Sequence, residues 1–164
     1  MTSSAKLRIA QATEKDVPSL LTLIRCLAED ERLLDSITVT EERLRVSMFG
    51  ERPYAEAILA FENDKPVGYA VYYFTYSSFQ GLPGLYLEDL FVLPDSRGSG
   101  IGRHLLAHLA KKAVELGCCR VEWAVLNWNE PAIGFYKSLG AELMNEWGVY
   151  RLSESKLAEL AGED

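Results

Sequence analysis

The hexapeptide Arg97-Gly98-Ser99-Gly100-Ile101-Gly102 carries three glycines within five residues, just where an apolar helical stripe of Ile101, Leu105, Leu109 and Ala113 begins. A helix start leaves backbone N–H groups without intrahelical partners, and the helix dipole makes that end positive. Glycines remove the Cβ atoms that would keep a pyrophosphate away from those amides, and Arg97 adds a charge, so a phosphate group belongs there. Two other phosphate loops fail on spacing. The dinucleotide fingerprint needs G-x-G-x-x-G directly after its strand, and the phosphate loop of nucleotidases needs G-x-x-x-x-G-K-[ST]. The second chemical feature is Glu88-Asp89, adjacent carboxylates inside the apolar run LYLEDLFVL. Neighbouring strand residues point to opposite faces unless a bulge intervenes, so at least one carboxylate faces something other than core. His104 and His108 stand four apart, a spacing able to bind a metal, but they lie opposite the apolar stripe with no third ligand nearby. The expectation is a solvated helix face and no metal.

Positioning these groups requires a sheet and several helices. Leu7 to Ala12 reads as a strand, and Thr13 can cap a helix from about Glu14 to Glu29, with Val17, Leu20, Leu21, Ile24 and Leu27 at helical spacing. Thr40 repeats the capping signal ahead of a helix over Glu41 to Phe49. Ala55 to Phe61 and Val67 to Tyr76 form a hairpin through Asn63-Asp64-Lys65-Pro66, and Leu85 to Leu93 is the strand holding the carboxylates. The helix after the glycines runs to about Leu116 and stops at Gly117. Val121 to Leu126 is an interior strand, and Asn129-Glu130-Pro131 starts a helix ending at Leu139-Gly140. Short strands near Ala141 to Met144 and Trp147 to Leu152, then a polar tail helix from Ser153, complete the order β-α-α-β-β-β-α-β-α-β-β. That order predicts an α/β (α+β) protein with a mixed sheet and helices on both faces.

The 164 residues, 48% hydrophobic, predict one domain without an internal linker. A formal charge of −7 repels polyphosphate backbones, which excludes nucleic acid as a partner and suits cationic ligands. Cys26, Cys118 and Cys119 fit neither a disulfide framework nor paired metal ligands, so a reducing cytoplasm is the expected compartment. The start has no apolar leader run, and no stretch reaches the ~20 apolar residues of a membrane span; neither export by that route nor membrane insertion is expected.

The segment RGSGIG fits the [RQ]-x-x-G-x-[GA] signature, and with its preceding strand and following helix it resembles the coenzyme A site of the GCN5-related (GNAT) acetyltransferase superfamily. YYFTY at Tyr72 to Tyr76, YLEDLFV at Tyr86 to Val92 and NWNEPAIGFYKSLGA at Asn127 to Ala141 narrow the likeness to the diamine acetyltransferases, the spermidine/spermine and thialysine branch. The resemblance spans nearly the whole chain, strongest from residue 67 to 141. It implies the GNAT fold, a mostly antiparallel twisted sheet with splayed central strands, acetyl-CoA as co-substrate, direct transfer to a small amine in a ternary complex, and a homodimer.

The resemblance also implies roles. Backbone groups of Leu90, Phe91 and Val92 would hold the pantetheine like an added strand, Gly98 to Arg103 (Gly98, Ser99, Gly100, Ile101, Gly102, Arg103) would bind the pyrophosphate beside Arg97, and Asn129, Glu130, Pro131 and Ala132 would also meet the coenzyme. Tyr136 matches the family's general acid toward the departing thiolate, a task that suits a phenol, whose ordinary pKa of about 10 keeps it protonated at pH 7. Glu88 is the candidate acceptor of the ammonium proton, since attack requires a neutral nitrogen and an amine of pKa near 10 is almost wholly protonated at pH 7. Asp89 is read as a structural bonding group. Asp30 and Glu31 match substrate-end positions, Glu122, Trp123 and Ala124 line the same slot, and Glu146 falls near another acidic position. At the Asp30 position the family often has Tyr, so the choice of amine departs more than the reaction does. Two other functions fit parts of the sequence: acetylation of protein termini or lysines, and a non-catalytic acyl-CoA-binding regulatory module, which need not keep Tyr136 or Glu88.

Overall fold

Five strands form where the sequence alternates or runs apolar: β1 (Leu7–Gln11), β2 (Glu56–Glu62), β3 (Lys65–Ser77), β4 (Leu82–Val92) and β5 (Val121–Trp123). The computed structural model describes residues 6–163; residues 1–5, the opening of the stretch in which no leader run was read, and residue 164 lie outside them. The strands join in sequence order, antiparallel at β1–β2, β2–β3 and β3–β4 and parallel at β4–β5. The β2–β3 hairpin turns at Asn63 and Asp64, both with positive φ, as the Asn-Asp pair predicts.

Helices cover both faces. The apolar stripes of α1 (Val17–Asp30) and α2 (Glu41–Phe49) supply Val17, Leu20, Leu23, Leu44 and Met48, which cluster with Leu59, Tyr69, Val71 and Phe91. The opposite face meets α3 (Ile101–Glu115), which buries Ile101, Leu105 and Leu109 and places Lys112 5.8 Å over the ring of Tyr72. Tyr72 alternates with Tyr69 and Val71 along β3 and so belongs to that other face. Helix starts follow the capping residues: Thr40 Oγ1 accepts the Arg43 N–H at 3.2 Å, and the Thr13 N–H donates to Asp16 at 2.8 Å. The helix expected from Glu14 opens as a single 3₁₀ turn, Glu14–Asp16, and becomes α-helical at Val17.

Residues up to Ala124 make one compact unit, and those from Val125 make a second, which holds α4 (Glu130–Ser138) and α5 (Glu154–Ala161). Two expectations are corrected. The strand Val121 to Leu126 ends at Trp123, because it pairs with β4 only from Leu85↔Val121 to Leu87↔Trp123. The strands near Ala141 to Met144 and Trp147 to Leu152 are absent: this stretch has no regular secondary structure beyond a turn at Asn145-Glu146, with Leu143, Trp147, Val149 and Tyr150 exposed. Their apolar spacing suits a strand, but a strand forms only when a neighbour takes up its N–H and C=O groups, and the second unit contains no other strand among the described residues.

Candidate functional site

The site is organised by one extra residue in β4. The pairing of β3 with β4 passes from Tyr72↔Leu87 directly to Val71↔Asp89, leaving Glu88 as a bulge. Before it, Leu87 shares the α3 face with Tyr72; after it, Asp89 and Phe91 share the α1 face with Val71 and Tyr69. Without the bulge, the alternation that puts Leu85 and Leu87 on the α3 face would put Asp89 there as well. Instead Asp89 turns toward the end of α1, where the Tyr69 hydroxyl donates to Asp89 Oδ2 at 3.0 Å. Burial pushes the Asp89 carboxyl up to about 6, the hydrogen bond from Tyr69 holds it back, and the charge of Glu88 adds to the rise. Burial likewise raises Glu31, the residue that closes α1, followed by repulsion from Asp89 and Asp30. Burial and then the Asp89 charge drive the Tyr69 hydroxyl far above the ordinary phenol range. Glu88 itself is exposed. After burial, its charge is the next cause raising the phenols of Tyr73 and Tyr86, whose rings stack with centroids 5.1 Å apart. Asp30, Glu31, Asp89 and Glu88 therefore form one continuous acidic patch.

Beside this patch β4 loses its neighbour, since β5 stops opposite Leu87 while β4 continues to Val92. The Leu93 N–H goes to the Val67 carbonyl at 2.8 Å. Alternation then gives the Phe91 groups to Tyr69 on β3 and turns those of Leu90 and Val92 to the open edge. Arg97 Nε donates to the Val92 carbonyl at 2.8 Å, which leaves Leu90 and the Val92 N–H facing that edge. Of the three residues expected to hold a pantetheine through their backbone, Phe91 is thus the one whose groups serve the sheet.

At the end of β4 the glycine loop folds as its composition demands. Gly98 and Gly100 take φ values of +83° and +85°, which only glycine adopts without strain. A Cβ built on Gly98 would meet nothing within 4 Å, so the backbone lies open there, and Ser99 Oγ fastens the loop to the Ser96 carbonyl at 3.0 Å. Gly100 caps α3, whose first residues, the buried Ile101, then Gly102 and the exposed Arg103, present the helix start. Besides Val92, Arg97 reaches Asp30 Oδ2 at 3.3 Å and lies 5.3 Å from the centre of the Phe91 ring, tying the loop to the end of α1. His104 Nδ1 sits 2.8 Å from the Gly100 carbonyl.

Glu122 lies opposite Tyr86 in the β4–β5 register and pairs with Arg120 at 2.7 Å; Trp123 is half-buried and Ala124 exposed. In the second unit Asn129 Oδ1 caps α4 by accepting the Ala132 N–H at 3.3 Å, Glu130 and Pro131 make the exposed first turn, and Tyr136 is half-buried, its ring 5.4 Å from that of Phe135. Glu146 is exposed in a turn. The first unit therefore gathers Asp30, Glu31, Glu88, Leu90, Val92, Arg97 and the glycine loop around one strand end. Tyr69 was not singled out from the sequence, where it reads as one more aromatic in a buried strand. Its register opposite Phe91, next to the bulge, is what gives its hydroxyl a partner.

Residues 22–141 match the family model described as Acetyltransferase (GNAT) family. The chain belongs to the GNAT acetyltransferases. This acetyltransferase is 40% identical to a thialysine N-epsilon-acetyltransferase of Bos taurus, over 94% of its own length and 97% of the relative's. It is 31% identical to an L-ornithine N5-acetyltransferase of Arabidopsis thaliana, over 92% and 86% of the two chains. Among solved structures, an integron cassette protein from the mobile metagenome of V. cholerae superposes with a TM-score of 0.78 at 30% identity, covering 96% of this chain and 98% of that one. The protein is accordingly an N-acetyltransferase, an enzyme of a family whose co-substrate is acetyl-CoA. No helix among the described residues is long and apolar enough to cross a membrane.

Proposed function

We propose that the enzyme acetylates a terminal primary amine of a small cationic molecule, a diamine, polyamine or thialysine-like amino acid. The observation that carries this reading is the acidic patch of Asp30, Glu31, Asp89 and Glu88 set against the open edge of β4. The coenzyme side suits such a ligand: amides at Leu90 and Val92 can pair with the pantetheine amides as an added strand, and the open backbone at Gly98 leads through Gly100 into the start of α3, where phosphate oxygens are stabilised. Next to that edge the carboxylates attract a cation and hold its ammonium group, which raises its local concentration before chemistry. The relatives named for thialysine and ornithine support an amino-bearing small molecule.

In the reaction the substrate nitrogen must first lose a proton, and Glu88, exposed at the bulge, takes it, directly or through one water. The neutral nitrogen then attacks the thioester carbonyl, the C–N bond forms, the C–S bond breaks, and coenzyme A leaves as a thiolate. Tyr136 supplies the proton that neutralises it, and the second proton shed by the acetylated nitrogen restores the phenol, a role that rests on the match of N-E-P-A-I-G-F-Y-K to the family. A homodimer working in the cytoplasm belongs to the same proposal, supported by the family likeness and by three free cysteines. Mass spectrometry of products from acetyl-CoA with thialysine, ornithine, putrescine, spermidine and a lysine-containing peptide tests the reading. Acetylation of one of the small amines is expected, and acetylation of the peptide alone would replace the reading with a protein acetyltransferase.

A further inference from the structure

We propose that Tyr69 is a positioning residue for the amine: its buried hydroxyl fixes Asp89 at the β4 bulge so that this carboxylate, facing Glu31, receives a cationic group of the substrate. The inference rests on the small-cation reading above and names the device that would select for the charge.

Three observations carry it. Tyr69 is fully buried in the cluster of α1 and the sheet, with Leu20, Leu59 and Phe91 in the same cluster, so its ring has one place to be. Its hydroxyl donates to Asp89 Oδ2 at 3.0 Å. The bulge at Glu88 is what brings Asp89 to the Tyr69 face, and a bulge that re-aims a side chain beside an open strand edge is a device proteins use next to active sites. A carboxylate held by one neutral donor keeps lone pairs on both oxygens.

The groups around Asp89 are a neutral donor and two carboxylates. From the end of α1 comes Glu31, from β3 Tyr69, and from its own strand Glu88. Arg97, at the end of the same strand, is bound to Asp30 and to the Val92 carbonyl. The charge of Asp89 raises the proton affinity of Glu31, and two partly buried carboxylates so placed are stabilised when a cation arrives between them. An ammonium group of the substrate is such a cation. The hydroxyl of Tyr69 keeps Asp89 oriented and favours its ionised form, so it acts on the amine only through Asp89.

The experiment is steady-state kinetics of the full chain with acetyl-CoA and the best small amine, for wild type, Tyr69→Phe, Asp89→Asn and the double variant, each across pH 5.5 to 9. Tyr69→Phe keeps the ring in the core and removes only the donor. It is expected to raise the amine KM about tenfold, to change acetyl-CoA KM and kcat by less than about twofold, and to move the acid limb of kcat/KM for the amine to higher pH, since a carboxyl without its donor binds its proton more tightly. The double variant is expected to match Asp89→Asn, because the hydroxyl has no other route to the substrate. Unchanged amine KM and acid limb in Tyr69→Phe, or equal losses for amine and acetyl-CoA, would overturn the proposal alone. Additive losses in the double variant would overturn it as well. Should Tyr69→Phe not fold, Asp89→Asn decides: an unaltered amine KM there removes the proposal. Absence of turnover by wild type with every small amine would remove the small-cation reading and this inference together.

Discussion

Glu88 and Asp89 are consecutive in sequence and yet act on one face of the sheet, because Glu88 has no partner on β3 while Asp89 pairs with Val71. Glu88 lies toward the stacked Tyr73 and Tyr86, and Asp89 toward Tyr69 and the end of α1. The two carboxylates are thereby separated in environment: one is exposed and able to exchange protons with water, the other is held in the protein with its carboxyl raised to about 6.

The exposed one is expected to carry the proton. Glu88→Gln should lower kcat/KM for the amine at pH 7 by about a hundredfold, with partial recovery near pH 10 as the free amine becomes abundant. A pH–rate profile of the variant checks this; a uniform loss at all pH values would leave Glu88 a binding role only.

Asp89 should shape the stability of the fold. Its folded value of about 6 lies above the ordinary value of 3.8, so between those pH values the folded state binds more protons than the unfolded chain. Stability contributed by the protonated form is present below about pH 4 and is lost as pH rises through 6, by on the order of 2 to 3 kcal/mol. Urea unfolding from pH 4 to 7 should show this fall in the wild type and a flatter course in Asp89→Asn, where the amide oxygen can still accept from Tyr69.

The glycine loop should separate the two substrates. Gly100→Ala forces a side chain onto a backbone at φ +85° and should cost about 1 kcal/mol of stability. Its acetyl-CoA KM should rise several-fold, while the amine KM stays within about twofold. Isothermal titration with coenzyme A and thermal unfolding read the two effects independently.

Tyr136→Phe should cut kcat by about a hundredfold and leave acetyl-CoA affinity nearly unchanged, because the phenol is assigned to the departing thiolate and not to the bound thioester. Unaltered kcat would remove Tyr136 as the acid. Leaving-group dependence, probed with a more acidic thiol ester, should be weaker in the wild type than in the variant.

Much of this arrangement is written in local sequence. Thr40, Asn129 and the Asn63-Asp64 turn behave as their chemistry dictates, since caps and turns depend on a few neighbouring atoms. The bulge is different: LYLEDLFVL announces that one of its charges cannot be core, but which residue is skipped depends on the register with β3, a non-local matter. The partners of Arg97 within the protein, Asp30 and Val92, likewise come from a helix end and a strand end that sequence distance hides. Trp147 to Leu152 carries strand propensity without a partner strand in its unit, and propensity alone does not make a strand.

The central claim, that an acidic patch beside the open edge of β4 selects a small dication for acetylation, is tested most directly by comparing kcat/KM for a diamine and for a monoamine of equal chain length under saturating acetyl-CoA. A preference for the diamine of about tenfold or more at low ionic strength, shrinking with added salt, is the predicted result. Equal kcat/KM for the two amines, unaffected by salt, would contradict the account.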